Sequence, residues 1–148
     1  MSTYRQIFYQ IVFATKIRQS TITPEHENEL YKYILAIINT KNCKMYWING
    51  MADHIHIFCD LHPSLSLSSY VKDIKIASNI WMKESGKFPD FQSCQEGYGA
   101  FTYNVKEKNI IIEYIKNQKE HHKTESFYDE FKSMIIENGI QFDERYFL

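Results

Sequence analysis

The chain has 148 residues, of which 44% are hydrophobic and 16% aromatic, a size and composition suited to one domain, residues 1–148, with its own core. Its formal net charge of -1 argues against a protein that coats duplex DNA through bulk electrostatics. No apolar run approaches the length of a membrane-spanning helix, and the first ten residues lack the apolar block of a secretion signal, so we expect a cytoplasmic protein.

The first predicted element is a strand from Tyr4 to Thr15. Apolar residues occupy both of its alternating faces, which is typical of a strand buried on two sides. After a polar turn, Thr23 followed by Pro24 indicates the N-cap and first turn of a helix. Leucine and isoleucine then recur at helical spacing, and we expect this helix to run to about Lys41.

A β-hairpin and a second helix follow. Residues 44–49 and 53–61 have the composition of strands, and a tight turn at Gly50–Met51 is expected to join them as an antiparallel pair. Ser66 is in position to cap a helix whose apolar residues recur at helical spacing until the chain reaches Gly86. The sequence His-Ile-His therefore lies within the second strand of the hairpin.

The C-terminal part contains a loop, one more strand and two helices. Residues 87–99 include a proline and two glycines, as loops do, and the alternation over 101–105 predicts a last strand. Residues 106–122 have a helical pattern, and a final helix is expected from a cap at Ser126 to about Gly139. The order β-α-β-β-α-β predicts an α+β, ferredoxin-like antiparallel sheet with two helices on one face and additional C-terminal helices.

The second hairpin strand carries two histidines on one face. His54 and His56 alternate with apolar residues, and their backbones stand roughly 6.6 Å apart along the strand, close enough for both rings to reach one ion. Because the apolar face must meet the two packed helices, we expect the histidines on the open face, where a substrate could lie. A His-x-His pair by itself more often belongs to an ordinary polar face than to a metal site.

The helix predicted over residues 106–122 supplies a second polar pair. Tyr114 and Gln118 are four positions apart and so share one face of that helix, about one turn from each other. A tyrosine in an amphipathic helix more often serves packing than catalysis. Combined with the two histidines, however, the pair completes a set of two imidazoles, an amide oxygen and a phenol, which suits metal-assisted attack on a phosphodiester by a protein hydroxyl.

Almost the whole sequence resembles the small HUH transposases with one catalytic tyrosine, including those of simple bacterial insertion sequences and the REP-associated tyrosine transposases. The resemblance is carried by six segments, which are IVFATK, INGMADHIHIFCDL, LSLSSYVKDIK, EGYGAF, YIKNQKEHHK and FDERYFL. One departure is Cys94, where many relatives have tryptophan before the Gln-Glu-Gly-Tyr-Gly run. It concerns loop packing or base stacking rather than the chemistry.

The resemblance implies a role for each residue of the set. His54 and His56 would be the paired histidine ligands of Mg²⁺ or Mn²⁺, Gln118 the third protein ligand, and Tyr114 the nucleophile. It further implies a transposase that cleaves and rejoins single-stranded DNA at hairpin-bearing ends through a 5′-phosphotyrosine. It also implies a homodimer in which a catalytic helix is exchanged to complete the partner's site.

Basic residues in the first part of the chain are candidates for DNA contacts. Residues 1–87 carry ten lysines and arginines against seven acidic residues, whereas the remaining residues carry seven against eleven. The candidate phosphate contacts are Lys16, Arg18, Lys72, Lys75 and Lys83. Solvated surface charge explains the same residues equally well.

Four further side chains near the two motifs have open roles. His121 and His122 follow Gln118 by one turn, and His121 either approaches the metal or a phosphate or is a plain surface histidine. Asp53 and Asp60 flank the histidine strand and could orient ligands by accepting hydrogen bonds. For Asp53 we favour a role at the start of the strand.

Two other functions are compatible with the sequence. One is a host-adapted relative that processes chromosomal palindromes instead of moving its own element, and genomic context separates it from a transposase. The other is a non-catalytic nucleic-acid-binding module of the same fold, in which Tyr114 only packs. In that case the substitution Tyr114→Phe should change nothing measurable.

Overall fold

The computed structural model describes residues 2–146, except for the side chain of Tyr146, so the last two residues of the FDERYFL segment lie outside it. The strands are β1 (Phe8–Ala14), β2 (Met45–Met51), β3 (His54–Asp60) and β4 (Gly99–Tyr103). The helices are α1 (Glu27–Thr40), α2 (Leu67–Ser85), α3 (Lys108–Lys116), α4 (Gln118–His121) and α5 (Phe127–Glu137). Single 3-10 turns cover Lys16–Arg18, Val105–Glu107 and Glu144–Tyr146. Within residues 2–146, none of the helices combines the length and the apolar composition that crossing a bilayer requires.

The four strands form one antiparallel sheet in the order β2-β3-β1-β4. This order and the two long helices between strands confirm the predicted α+β, ferredoxin-like arrangement. β1 and β3 occupy the centre of the sheet, and Val12 lies opposite His56 while Ala14 lies opposite His54. The two histidines therefore stand in the middle of the sheet and not at its edge.

Alternation along the two central strands divides the sheet into two differently covered faces. Ile11, Ile55 and Ile57 join a large buried apolar cluster with residues of α1 and α2, as the periodicity predicted. His54 and His56 point to the opposite face, which is covered by α3, α4 and α5. The first face supplies most of the hydrophobic core, and the second holds the polar site.

The expectation that the histidines lie on an open face is wrong. His54 and His56 are each 0% exposed, because the C-terminal helices pack across the face that carries them. This face also carries the apolar side chains of Val12, Phe58 and Phe101, which would be costly to expose to water, and the C-terminal helices cover them. Any substrate must reach this site from its rim.

The hairpin turn lies two residues later than predicted. Gly50 and Met51 are within β2, and the chain reverses at Ala52 and Asp53. Gly50 is required by close approach and not by a turn, because a Cβ atom at this position would lie 2.1 Å from the backbone oxygen of His54. Glycine thus allows β2 to pass directly beside the start of β3.

The last strand ends earlier than its alternation predicted. β4 stops at Tyr103, and Val105 begins a 3-10 turn instead of continuing the strand. Asn104 starts this turn with a reciprocal cap, in which its side chain accepts from the backbone N–H of Lys106 while Glu107 accepts from the Asn104 N–H, each at 3.0 Å. The cap directs the chain into α3.

The helix predicted over residues 106–122 is interrupted near its middle. α3 ends at Lys116, Asn117 departs from helical geometry with ψ at 15°, and α4 begins at Gln118. The Asn117 N–H still bonds to the carbonyl of Glu113 at 3.1 Å, so the change of direction is small. The predicted shared face of the helix is therefore kept across the break.

Candidate active site

The two strand histidines are held in fixed orientations by acceptors on their outer side. His54 Nδ1 lies 2.7 Å from the Asp53 carboxylate, and His56 Nδ1 lies 2.8 Å from Gln10 Oε1. Asp53 thus orients a histidine in addition to starting the strand. Both rings turn their Nε2 atoms toward the interior of the site, which is the arrangement that supporting acceptors produce around metal-binding histidines.

Tyr114 and Gln118 meet these histidines from the covering helices of the same chain. Gln118 Oε1 lies 3.0 Å from His54 Nε2, and the Gln118 side chain is fully buried. The Tyr114 ring stands edge-on to His56 with 6.0 Å between ring centres. The structure therefore brings together all four residues singled out from the two motifs.

Glu130 of α5 lies at the centre of the site and was missed in the sequence. Its Oε1 is 3.1 Å from His56 Nε2 and 3.4 Å from His54 Nε2. Its Oε2 accepts hydrogen bonds from the Tyr114 hydroxyl and, at 2.8 Å, from Gln118 Nε2. No local pattern distinguishes this glutamate from the other acidic residues of an amphipathic helix, so only its packing shows the role.

Of the two consecutive histidines after Gln118, His122 is the one that enters the site. His122 Nε2 lies 2.9 Å from Glu130 Oε1, and its Nδ1 lies 2.6 Å from the backbone oxygen of Glu125. His121, which we considered the better candidate, stays at the rim with Nε2 3.5 Å from Glu130 Oε2. Spacing alone could not separate the two, because α4 ends between them.

The hydrogen-bond geometry of the three buried rings indicates a positive charge at the centre. In each ring Nδ1 faces an oxygen that only accepts, so Nδ1 carries the proton and the lone pair of a neutral ring lies on Nε2. All three Nε2 atoms then face Glu130 Oε1, which is also an acceptor. Acceptors directed at one another need either a cation or an added ring proton between them.

The donor set fits a divalent metal ion. One ligand atom from each of His54, His56, His122 and Glu130 lies within 4.8 Å of the others. Imidazole and carboxylate together suit manganese and zinc as well as iron, and the added amide oxygen of Gln118 is acceptable to Mg²⁺. The buried cluster is thus a candidate metal site, with ligand atoms from β3, from His122 just after α4 and from Glu130 in α5.

Burial and the central carboxylate shift the protonation of the site. Burial lowers the pKa of His56 to about 4, which favours the neutral ring that binds metals. Burial alone would raise the pKa of Glu130, but hydrogen bonds from His122 and His56 outweigh it and hold that pKa well below its usual range. Burial raises the pKa of Tyr114, and the charge of Glu130 raises it further. Tyr114 is therefore a protonated phenol in this structure.

A cleft of about 400 Å³ opens beside Tyr114. Its walls include Gln10, Tyr103, His121 and Glu130, so the cleft connects solvent with the polar site. Several acidic side chains line the cleft. Their negative charge repels a phosphate group unless a bound cation offsets it. The cleft is the approach by which a substrate would reach the Tyr114 hydroxyl.

The candidate DNA contacts on α2 lie away from this cleft. Lys72, Lys75 and Lys83 belong to the helix that packs on the sheet face opposite the histidines. Lys75 bonds to the backbone oxygens of Gln95, at 3.0 Å, and Gly97. This lysine has a structural role in holding the loop before β4, and none of the three is brought near Tyr114.

Lys16 and Arg18 follow the end of β1 and are located in a strained turn. Ile17 and Arg18 have φ values of 55° and 54°, which are unusual for residues with a Cβ atom. The Arg18 guanidinium lies over the ring of Tyr128 in α5, 5.4 Å from its centre. The turn therefore contacts the helix that carries Glu130.

The sequence matches a family model described as "Transposase IS200 like" over residues 3–118. The transposases for insertion sequence element IS200 of Salmonella typhimurium strain LT2 and of Salmonella typhi are each 28% identical over 120 residues, covering 78% of this chain and 78% of theirs. A candidate transposase from Deinococcus radiodurans R1 has a similar fold, with a TM-score of 0.62, 22% identity, and coverage of 80% of this chain and 95% of that one. A REP-associated tyrosine transposase bound to a REP hairpin also has a similar fold, with a TM-score of 0.60, 17% identity, and coverage of 82% of this chain and 74% of that one.

Proposed function

Because this chain belongs to the IS200-like transposase family, we propose that it is a metal-dependent enzyme that cleaves and rejoins single-stranded DNA at hairpin-bearing ends. The observation that carries the proposal is the convergence of four side chains on one carboxylate. The Tyr114 hydroxyl, the Gln118 amide and the rings of His54 and His56 all contact Glu130. A nucleophile beside a cluster of metal-binding groups is the arrangement that transfer of a phosphodiester requires.

The proposed metal ligands are His54, His56 and Gln118, with Glu130 and His122 within reach of the same centre. Mg²⁺ and Mn²⁺ are the proposed ions, because amide and carboxylate oxygens accompany the imidazoles. When bound there, the ion would polarise the scissile phosphate and stabilise the charge that develops on its non-bridging oxygens. Asp53 and Gln10 keep the two strand histidines directed at this point.

Tyr114 is the proposed nucleophile, and its proton has an acceptor in place. A free phenol has a pKa near 10 and is a poor nucleophile at neutral pH, so the proton must be removed during attack. The hydroxyl already donates to Glu130, whose pKa is low, and the proton moves to this carboxylate because the phenol becomes a strong acid as its oxygen bonds to phosphorus. The bond between phosphorus and the 3′ oxygen breaks, and this oxygen takes a proton from water. The product is a 5′-phosphotyrosine with a free 3′-hydroxyl.

Strand joining is the reverse of this step. The 3′-hydroxyl of another strand attacks the phosphotyrosine, a new phosphodiester forms, and the bond from phosphorus to Tyr114 breaks. The departing phenolate regains a proton from Glu130, and the attacking hydroxyl gives up its own proton to water. Since the covalent bond to Tyr114 conserves the phosphodiester energy, no nucleotide cofactor is needed.

The proposed substrate is single-stranded DNA that contains a hairpin, and the proposed assembly is a homodimer. The REP-associated tyrosine transposase of similar fold was solved with a REP hairpin, which supports a hairpin as the recognised element here. Lys16 and Arg18 remain proposed phosphate contacts, as do the three lysines of α2. Exchange of helices between subunits is not needed to build the site, because one chain supplies all of its groups.

The proposal is tested with labelled hairpin DNA and Mn²⁺, followed by a denaturing gel that separates covalent adducts. Wild-type protein should form an adduct, and Tyr114→Phe should form none, because the substitution removes the attacking oxygen, together with its hydrogen bond to Glu130. Binding of the hairpin, measured by fluorescence anisotropy, should be largely retained by this variant. Loss of the adduct together with retained binding would show that the variant is folded and lacks only the cleavage chemistry.

A matched control is Tyr103→Phe, which removes another hydroxyl from the same cleft. This variant should keep the adduct, since its hydroxyl contacts Gln10 and not the metal cluster. His56→Ala should lose the adduct, and added metal should not restore it. An adduct that persists in Tyr114→Phe would assign the chemistry to another residue and overturn the proposed mechanism.

A further inference from the structure

β2 carries an irregularity that places two aromatic side chains, one of them exposed, next to each other at the edge of the sheet. The strand forms one edge of the sheet, and its register passes from Met45 opposite Cys59 to Trp47 opposite Phe58. Tyr46 is therefore the extra residue of a β-bulge. Neighbouring residues of a regular strand point to opposite faces, but a bulge redirects one of them. Here both rings contact groups on the face that α3 covers.

Each of the two rings lies beside lysine. The Lys116 ammonium is 4.3 Å from the centre of the Trp47 ring, and the Lys108 ammonium is 4.3 Å from the centre of the Tyr46 ring. Lys44 approaches the same tyrosine at 5.1 Å. Tyr46 is anchored from below by Phe8 and Phe58, whereas Trp47 is 39% exposed. Aromatic faces interleaved with cations are therefore presented on this edge of the protein.

This edge is joined directly to the helix that carries the nucleophile. Asn49 of β2 donates from Nδ2 to the backbone oxygens of Ile115 and Lys116, at 3.0 and 3.2 Å. These bonds hold the end of α3 against the bulged strand, two residues from Tyr114. This edge therefore lies against the C-terminal end of α3, the helix that carries Tyr114.

The charges on this edge are available for a new partner. Lys116 also pairs with Glu113 at 3.5 Å, in a contact between two exposed side chains. Exposed pairs of this kind contribute little, so the lysine loses little by exchanging the carboxylate for a phosphate. The π-face of every base stacks on an indole or phenol without regard to sequence, while neighbouring lysines attract the backbone.

We propose that Tyr46, Trp47, Lys108 and Lys116 form a platform on which unpaired bases of single-stranded DNA stack next to the active site. The proposal rests on the function proposed above and adds a location for the unpaired strand. It commits to single-stranded DNA because cations accompany both rings. A second copy of this chain, pairing along the edge of β2, is the alternative occupant that the experiment separates.

The chain has two tryptophans, and this allows a direct test. In Trp81→Phe, Trp47 is the only indole, and titration with single-stranded oligothymidylate should quench its fluorescence as bases stack on it. In Trp47→Phe, the remaining Trp81 is stacked on Tyr33 at 5.1 Å and should respond little. Trp47→Ala should weaken binding of the same labelled oligonucleotide, measured by anisotropy, by about tenfold, since stacking of one base contributes on this scale. Trp81→Phe should leave that affinity unchanged.

Two results would overturn the platform. One is DNA binding with unchanged affinity in Trp47→Ala and no quenching in Trp81→Phe. The other is a change in Trp47 emission that follows protein concentration without DNA, which would assign this edge to self-association. Both leave adduct formation on Tyr114 intact, and so they are distinct from failure of the proposed function, in which wild-type protein forms no adduct.

Discussion

Glu130 receives contacts from six polar side chains. They are Tyr114, Gln118 and the four histidines His54, His56, His121 and His122. A buried carboxylate is expensive unless it is paired, and here every neighbour is a donor or a metal ligand. Its negative charge would therefore stabilise a dication bound among the histidine rings.

Removal of this charge should weaken metal binding. We expect Glu130→Ala to reduce the affinity for Mn²⁺, measured by isothermal titration calorimetry, by about 10- to 100-fold, at least the loss that follows from deleting a supporting group around a metal. Adduct formation should fall at low Mn²⁺ and recover partly at high Mn²⁺, because Tyr114 and the histidines are still present.

The matched control is Glu137→Ala, which removes another glutamate from α5 that lines the same cleft but lies outside the metal cluster. This variant should bind Mn²⁺ as the wild type does. Equal affinities for wild type and Glu130→Ala would show that the ion is held by the strand histidines and Gln118 without help from α5.

At the scale of elements, the alternation of residues in the sequence predicted the strands. It did not predict that the C-terminal helices cover the face that carries the histidines. The alternation in β3 follows from the pleat of any strand, so the shared face of His54 and His56 could be predicted from the sequence. The contact of His56 with Glu130 joins residues 74 positions apart, and no periodicity encodes it. Gly50 was predicted as a turn residue because glycine is typical of turns, whereas its reason is a backbone that lies too close for a side chain.

The N-cap of α5 offers a test of how this helix supports the site. Ser126, which lies four residues before Glu130, accepts a hydrogen bond from the Asp129 N–H at 3.2 Å. Loss of such a cap costs about 1 kcal/mol of stability. We expect Ser126→Ala to lower the free energy of unfolding in urea by this amount and also to weaken Mn²⁺ binding, because α5 then holds Glu130 less firmly.

Ser66→Ala is the corresponding change in α2, where Ser66 accepts from the Ser69 N–H at 3.2 Å. It should cost a similar amount of stability but leave Mn²⁺ affinity unchanged, since α2 packs on the other face of the sheet. If both variants altered metal binding equally, the effect would reflect global stability and not the position of α5.

At the scale of the whole molecule, the two faces of the sheet have different tasks. α1 and α2 bury apolar residues on one face, and the C-terminal helices bring polar groups to the other. The family match ends at residue 118, so Tyr114 and Gln118 belong to the matched region while His122 and Glu130 lie beyond it. The segment after the matched region therefore supplies His122 and Glu130 to the candidate metal cluster.

A mixing experiment distinguishes a site completed within one chain from one completed between subunits. His56→Ala and Tyr114→Phe each remove one half of the site, and in this structure both halves belong to one chain. We therefore expect a 1:1 mixture, refolded together and assayed with hairpin DNA and Mn²⁺, to form no more adduct than either variant alone. In a two-fold dimer with exchanged helices, random pairing would restore roughly a quarter of the sites. Recovery on that scale would show that the partner's α3 supplies the nucleophile, and that Glu130 contacts a tyrosine which leaves when the dimer forms.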